Sequence, residues 1–101
     1  MAELELKKAL ALNPGLQGVH TKIGNIRLTR GDSESALYHY TEALKIYPFD
    51  RDALFYRGMI LENLGRYKEA VSDFKFFLSA PGKNLSEMRP YAEERVRELS
   101  R

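Results

Sequence analysis

The chain has 101 residues, which is enough for one small domain with a core of its own. Its composition, 44% hydrophobic and 30% charged with a net charge of +2, is ordinary for a soluble globular or helical-repeat chain and too weakly basic to indicate a nucleic-acid or lipid binder. The absence of cysteine excludes disulfides, thiol catalysis and cysteine-ligated zinc, and no apolar run approaches the roughly 18 residues that cross a membrane.

The chain repeats itself at an offset of 34 residues. Six pairs of identical or similar residues are 34 positions apart: Gly24 and Gly58, Gly31 and Gly65, Ala36 and Ala70, Leu37 and Val71, Tyr40 and Phe74, and Leu44 and Leu78. So many matches at one spacing are not expected by chance in a chain of this length. Residues 17–50 and 51–84 are therefore predicted to be two copies of one unit.

The first copy has the pattern of two helices. Apolar residues at helical spacing predict a helix over 19–30, and Gly31 suits the position just after a helix end. Asp32 or Ser33 can cap the second helix, which is predicted to end near residue 47.

The second copy repeats this pattern. Asp52 is expected to open its first helix and Gly65 to close it. The partner helix is predicted over 66–78, with Pro81 and Gly82 ending it.

Gly24 and Gly58 fall in the middle of predicted helices, where glycine costs about 1 kcal/mol relative to alanine. That cost indicates a partner helix lying too close for a Cβ atom. Ala36 and Ala70 are the small residues expected opposite, on the second helix of each copy.

These motifs resemble the tetratricopeptide repeat, a helix–turn–helix unit with the signature W-x2-L-G-x2-Y, then A-x3-F, then P. The residues that carry the resemblance are Ile23-Gly24 and Ala36-x3-Tyr40 in the first copy, and Arg57-Gly58 and Ala70-x3-Phe74 in the second. The resemblance implies an all-α fold, a right-handed α-solenoid of antiparallel helix hairpins with about six helices.

The flanking segments fit the same register. Residues 1–16 are predicted to hold the second helix of a partial unit, and residues 85–101 a C-terminal capping helix. Pro90 must then lie in the first turn of the capping helix, because proline is tolerated there.

Two departures from the repeat pattern predict contacts in the second copy. Arg57 stands where the first copy has Ile23, and we expect it to form an ion pair with Asp73 on the partner helix. Phe77 replaces the Ala43 of the first copy, at the place where the capping helix should pack.

The resemblance also implies a function: a non-catalytic protein–protein interaction scaffold that binds a partner peptide or helix in its concave groove. Carried over position by position, the groove residues are Thr21, Asn25, Leu28, Phe55, Met59, Glu62 and Arg89. Asn25 could bond a peptide backbone and Arg89 a carboxylate. Phe55 and Met59 either receive an apolar anchor of the partner or pack against the capping helix, and the pattern leaves both open.

One subclass of the family clamps the C-terminal carboxylate of heat-shock chaperones. Asn25 and Arg89 match its pattern, but Thr21, Met59 and Glu93 stand where the clamp has lysine, asparagine and arginine. Glu93 would repel a carboxylate, so this reading is disfavoured.

The alternative function is self-association or assembly through the N-terminal helix. That helix would present four leucines around much of its circumference: Leu4, Leu6, Leu10 and Leu12. They could pair with a second copy of the chain, as a homodimer, or be covered by further repeats in a longer array.

Other chemistries have little support in the sequence. His20 and His39 are 19 residues apart and have no cysteine or further histidine beside them, so no metal site and no cofactor are expected. Lys22, Arg27 and Arg30 form a basic stripe without interleaved aromatic residues, so nucleic acid is not expected either. No catalytic motif occurs, and we expect a cytoplasmic protein that is not an enzyme.

Overall fold

The computed structural model describes residues 2–80 and 88–101, and within them the chain is helical and has no strand. The helices are α1 (Ala2–Leu12), α2 (Val19–Thr29), α3 (Ser33–Ile46), α4 (Arg51–Asn63), α5 (Tyr67–Ser79) and α6 (Met88–Leu99). The predicted all-α helical-repeat fold is confirmed. Among the described residues, no helix is both long enough and apolar enough to cross a membrane.

The chain forms two compact units, each made of one helical hairpin and one further helix. The first unit, Met1–Pro48, contains the hairpin α2–α3, with α1 packed on α2. The second unit, Phe49–Arg101, contains the hairpin α4–α5, with α6 packed on α5. The four-part division of the chain and the right-handed sense of a solenoid stay predictions.

Both hairpins turn in the same way. Gly31 and Gly65 have φ angles of +85° and +80°, a left-handed conformation that glycine adopts without steric cost. In the first turn the Asp32 N–H donates to the Arg27 carbonyl at 2.9 Å, and the Gly31 N–H donates to the Leu28 carbonyl at 3.0 Å. The same pair of bonds recurs one period later, so each helix ends in a Schellman motif.

Aspartate side chains cap α3 and α4. The carboxylate of Asp32 accepts a hydrogen bond from the Ser35 N–H at 3.1 Å, which confirms one of the two predicted caps. Asp50 accepts from the Ala53 N–H at 3.1 Å, so α4 begins one residue before Asp52. The expectation that Asp52 opens this helix is therefore wrong, because Asp50 is the residue whose side chain reaches the free N–H of the first turn.

The mid-helix glycines make room for an aromatic ring. A Cβ atom added to Gly24 would lie 2.7 Å from the ring of Tyr40, and one added to Gly58 would lie 2.9 Å from the ring of Phe74. Both rings are fully buried. The rings of Tyr40 and Phe74 lie one turn beyond Ala36 and Ala70 on the partner helices, and they are the groups that approach the glycines most closely.

In the second unit, the two positions that depart from the repeat pattern, Arg57 and Phe77, agree with the predictions made for them. The guanidinium group of Arg57 forms two bonds to the carboxylate of Asp73, at 2.7 and 2.8 Å. Phe77 is buried, and Pro90 lies in the first turn of α6. The predicted stop at Pro81 falls outside the described residues.

Candidate functional site

An open depression lies on the first unit where α1 meets α2. It is lined by Glu5, Leu6, Lys22, Asn25 and Ile26, and we call it the α1–α2 cleft. Leu6 and Ile26 are half-buried, whereas the charged Glu5 and Lys22 are exposed. The cleft therefore has an apolar centre and a polar rim, which is the usual arrangement of a protein contact surface.

Asn25 is held in the cleft by the opposite helix of the hairpin. Its Oδ1 atom accepts a hydrogen bond of 2.6 Å from the hydroxyl of Tyr40, whose ring is fixed against Gly24. Because that oxygen is engaged, the groups that Asn25 offers to a partner are the two N–H donors on Nδ2. Of the groove residues predicted with it, Thr21 is buried and Leu28 is half-buried.

Phe55 lies inside the second unit. Only 6% of its surface is exposed, and its ring centroid lies 5.3 Å from that of Phe77 and 5.5 Å from that of Tyr91 on α6. Of the two roles left open by the sequence, the structure shows the packing against the capping helix. Met59, one turn later on α4, is half-buried.

The polar groove residues of the second unit contact other parts of that unit. Glu62 binds Arg95 of α6 through two hydrogen bonds, at 2.5 and 3.2 Å. Arg89 donates to the carbonyl of Leu78 at 3.3 Å and lies 3.4 Å from the carboxylate of Glu93. These bonds attach α6 to α4 and α5, so a partner that uses Glu62 or Arg89 must share or replace them.

The four leucines of α1 differ in exposure. Leu4 is 59% exposed and Leu12 is 89% exposed, whereas Leu6 and Leu10 are half-buried because α1 packs on α2. The apolar surface that α1 presents is therefore concentrated at two of the four predicted positions.

An ion-pair network attaches α1 to α2. The Glu3 carboxylate accepts from Arg27 at 2.6 and 3.0 Å, and it lies within 3.7 Å of Arg30 and 3.4 Å of Lys7. The hydrogen bond from Arg27 holds the pKa of Glu3 below its usual value, with Lys7 adding to the effect.

The structure brings the two histidines together although they are far apart in sequence. The Nδ1 atoms of His20 and His39 lie 3.0 Å apart, and their ring centroids are 5.2 Å apart. Burial lowers the pKa of both imidazoles, and the neighbouring His20 lowers that of His39 further. Among the residues that the structure describes, no group of three or more histidine, cysteine or acidic side chains could hold a metal ion.

Sequence reasoning missed Arg95 and the histidine pair, although the repeat contains a signal for each. Counting back one period from Arg95 reaches Leu61, a buried position, so an arginine there needs a partner. His39 directly precedes Tyr40, and His20 lies one helical turn before Gly24. The contact between Gly24 and Tyr40 therefore brings the two histidines to the same side of the hairpin.

Two successive helical hairpins, each with a glycine just after the end of its first helix, are the architecture of a helical-repeat protein. Residues 39–72 match the family model of the tetratricopeptide repeat. The matched segment is as long as one period and runs from within α3 to within α5. The predicted resemblance is confirmed over these residues.

A curated protein of Methanocaldococcus jannaschii, named "Uncharacterized protein MJ0572", is similar to part of the chain. The two are 43% identical over 53 residues, which cover 52% of this chain and 57% of that protein. The match thus spans little more than half the length of the relative. The name of the relative assigns no activity, substrate or partner.

Proposed function

We propose that the chain is a non-catalytic protein–protein interaction module that binds a peptide or helix of its partner. Tetratricopeptide repeats generally mediate interactions between proteins. The observation that carries the proposal is the fixed orientation of Asn25 in the α1–α2 cleft, since Tyr40 occupies its oxygen and its N–H donors remain for a peptide carbonyl. Leu6 and Ile26 would receive an apolar side chain of the peptide beside that bond.

The groove residues of the second unit have a different role in this proposal. Buried Phe55 packs against Tyr91, a residue that is 40% exposed, and half-buried Met59 lies on the same helix as Phe55. A partner would contact Tyr91 and Met59, while Phe55 keeps their surroundings rigid. Arg89 would bind a partner carboxylate only by exchanging its contact with Glu93.

Peptides selected from a displayed library against the purified chain test the proposal, with Asn25→Asp as the variant. The substitution keeps an oxygen for the Tyr40 hydroxyl but removes the Nδ2 donors. We expect the affinity for a selected peptide to fall about tenfold, as loss of one hydrogen bond at a charged or desolvated site predicts. Asn13→Asp is the matched control, because Asn13 also accepts a bond through Oδ1, from the Gly15 N–H, but lies outside the cleft.

Equal binding by wild type and Asn25→Asp would contradict this use of the cleft. Equal losses in Asn25→Asp and Asn13→Asp would also contradict it, since the added charge alone would then explain the change. Retained helicity in both variants, measured by circular dichroism, ensures that folding is not the cause.

Self-association through α1 is the second candidate, and the exposure of Leu4 and Leu12 favours it. In this proposal the exposed leucines pair with a second copy of the chain. Sedimentation velocity should then show a dimer that Leu12→Gln dissociates, whereas Leu64→Gln, at an exposed leucine of the second unit, should leave it intact. A wild-type monomer throughout the micromolar range rejects this candidate.

The cytoplasmic location is also a proposal, and cell fractionation tests it.

A further inference from the structure

The pair formed by His20 and His39 joins the two helices of the first hairpin. Its Nδ1 atoms face each other at 3.0 Å, so in the free chain one ring donates a proton and the other accepts it. His20 lies in the first turn of α2, and His39 lies in the middle of α3. Both rings are half-buried, so the pair is held by packing and still reached by solvent.

We propose that His20 and His39 form a two-imidazole chelate for a divalent transition-metal ion, with Ni²⁺ and Cu²⁺ fitting its geometry best. With metal–nitrogen bonds of about 2.0–2.1 Å, two nitrogen atoms 3.0 Å apart subtend roughly 91–97° at the ion. That angle suits neighbouring positions in square-planar or octahedral coordination, which Cu²⁺ and Ni²⁺ favour. Tetrahedral Zn²⁺ would require the two nitrogens to separate slightly.

Metal binding requires one of the two imidazole rings to change its tautomer. The ring that donates its Nδ1–H in the free chain must move that proton through solvent to its own Nε2. Both rings must then turn so that their Nδ1 lone pairs converge on the ion instead of facing each other. The number of bound protons is unchanged, and the hydrogen bond between the rings is replaced by two coordinate bonds. Water completes the coordination, because among the described residues no third ligand stands with the pair.

The charges around the pair partly balance. Arg27 and Lys7 repel a cation, whereas Glu3 attracts it, as their effects on the pKa of His39 show. Glu42 raises the pKa of His20 and lies one turn beyond His39 on α3, with its carboxylate 2.9 Å from Lys45. Burial nevertheless lowers the pKa of both rings, so at neutral pH their lone pairs are available to a metal ion.

Thermal unfolding in the presence of NiCl₂, CuCl₂ or MgCl₂ tests the chelate, with circular dichroism as the readout. Ni²⁺ and Cu²⁺ should raise the Tm in proportion to the logarithm of their concentration, because an ion that bridges α2 and α3 binds only the folded chain. Mg²⁺ should have no effect, since it prefers oxygen ligands. The chain contains two histidines and no cysteine, so these imidazoles are its strongest candidates for such an ion.

His20→Gln and His39→Gln should each weaken Ni²⁺ binding by at least about tenfold, since even a residue that merely orients a ligand is worth that much. Lys68→Gln, on α5, is the control and should leave the Tm shift unchanged. An unchanged wild-type Tm, or equal shifts in the wild type and both histidine variants, overturns the proposal.

Electron paramagnetic resonance of the wild type with one equivalent of Cu²⁺ gives a reading that does not depend on how well the variants fold. Two coordinated imidazole nitrogens should split the copper signal in the pattern of two equivalent ¹⁴N nuclei. A signal with one imidazole nitrogen, or with none, overturns the proposal.

Discussion

At the scale of single residues, the packing around position 58 explains why that residue is glycine. A Cβ atom at this position would lie 2.9–3.2 Å from three atoms of the Phe74 ring, and that ring has no exposed surface through which to move aside. Alanine would gain about 1 kcal/mol of helix propensity but overpack the contact, which costs about 1–3 kcal/mol. We therefore expect Gly58→Ala to lower the free energy of unfolding, and Gly58→Leu to unfold the domain, in thermal melts followed by circular dichroism.

Gly15→Ala is the control for this prediction. Gly15 is exposed, has no positive φ angle, and a Cβ atom there would lie 3.8 Å from its nearest neighbour, so alanine should be tolerated. A Gly58→Ala variant as stable as the wild type would show that the ring is not confined as described.

The ion pair of Arg57 and Asp73 is specific to the second unit. One period earlier the same two positions hold Ile23 and His39. Arg57→Ile should destabilise the chain by about 3–5 kcal/mol, because it leaves the buried Asp73 without its cation. Adding Asp73→His should recover much of the loss in chemical denaturation. A double variant as unstable as Arg57→Ile alone would mean that the second unit cannot accept the pairing of the first.

Among the helices, α4 depends on the cap at its start. Asp50→Ala should cost about 1 kcal/mol, since the Ala53 N–H then loses its partner. Asp52→Ala should cost less, because burial and the nearby Asp50 raise the pKa of Asp52 and so offset its favourable interactions with the helix dipole and Arg51. Urea titrations of the two variants measure the difference, and a larger loss in Asp52→Ala would contradict the assignment of the cap.

The attachment of α1 to α2 should weaken in acid. The pKa of Glu3 is lowered from 4.5 in the folded chain, mainly by the bond from Arg27. Its stabilising effect is therefore complete above the unfolded-state value near 4.5 and is lost as the pH falls through the lower folded-state value.

Glu3→Gln should remove this pH dependence. The difference in unfolding free energy between wild type and variant should be constant at neutral pH. It should vanish only below the lowered folded-state pKa of Glu3, where the carboxylate is protonated in both states. Glu5→Gln, at an exposed position of the same helix, is the control. If the difference in unfolding free energy between wild type and Glu3→Gln persisted unchanged to low pH, the carboxylate charge would not be what attaches α1 to α2.

The sequence predicts the helices and the contacts that stay within the repeat register. The period locates both hairpins, and the change from Ile23 to Arg57 predicts the ion pair with Asp73. The bond between Asn25 and Tyr40 and the pairing of His20 with His39 depend on how two helices are rotated against each other, which spacing along one helix does not specify. The start of α4 differs from the expectation for a local reason, since Asp50 and Asp52 are both suitable caps and only the side-chain geometry distinguishes them.

For the chain as a whole, function depends on which face binds a partner. The tetratricopeptide match covers residues 39–72, and the relative from Methanocaldococcus jannaschii covers 52% of the chain; neither match names a partner. The α1–α2 cleft combines apolar side chains with an asparagine held in one orientation. It is therefore the face on which our proposal of peptide binding depends.

Amide chemical shifts in nuclear magnetic resonance spectra, recorded while a selected peptide is titrated into the chain, test this central claim most directly. We expect the largest changes at the residues of the α1–α2 cleft, with Asn25 and Ile26 among the most affected and the side-chain amide of Asn25 shifting with them. Changes confined to the exposed side of α5, at Lys68, Ser72 and Lys75, would contradict the claim.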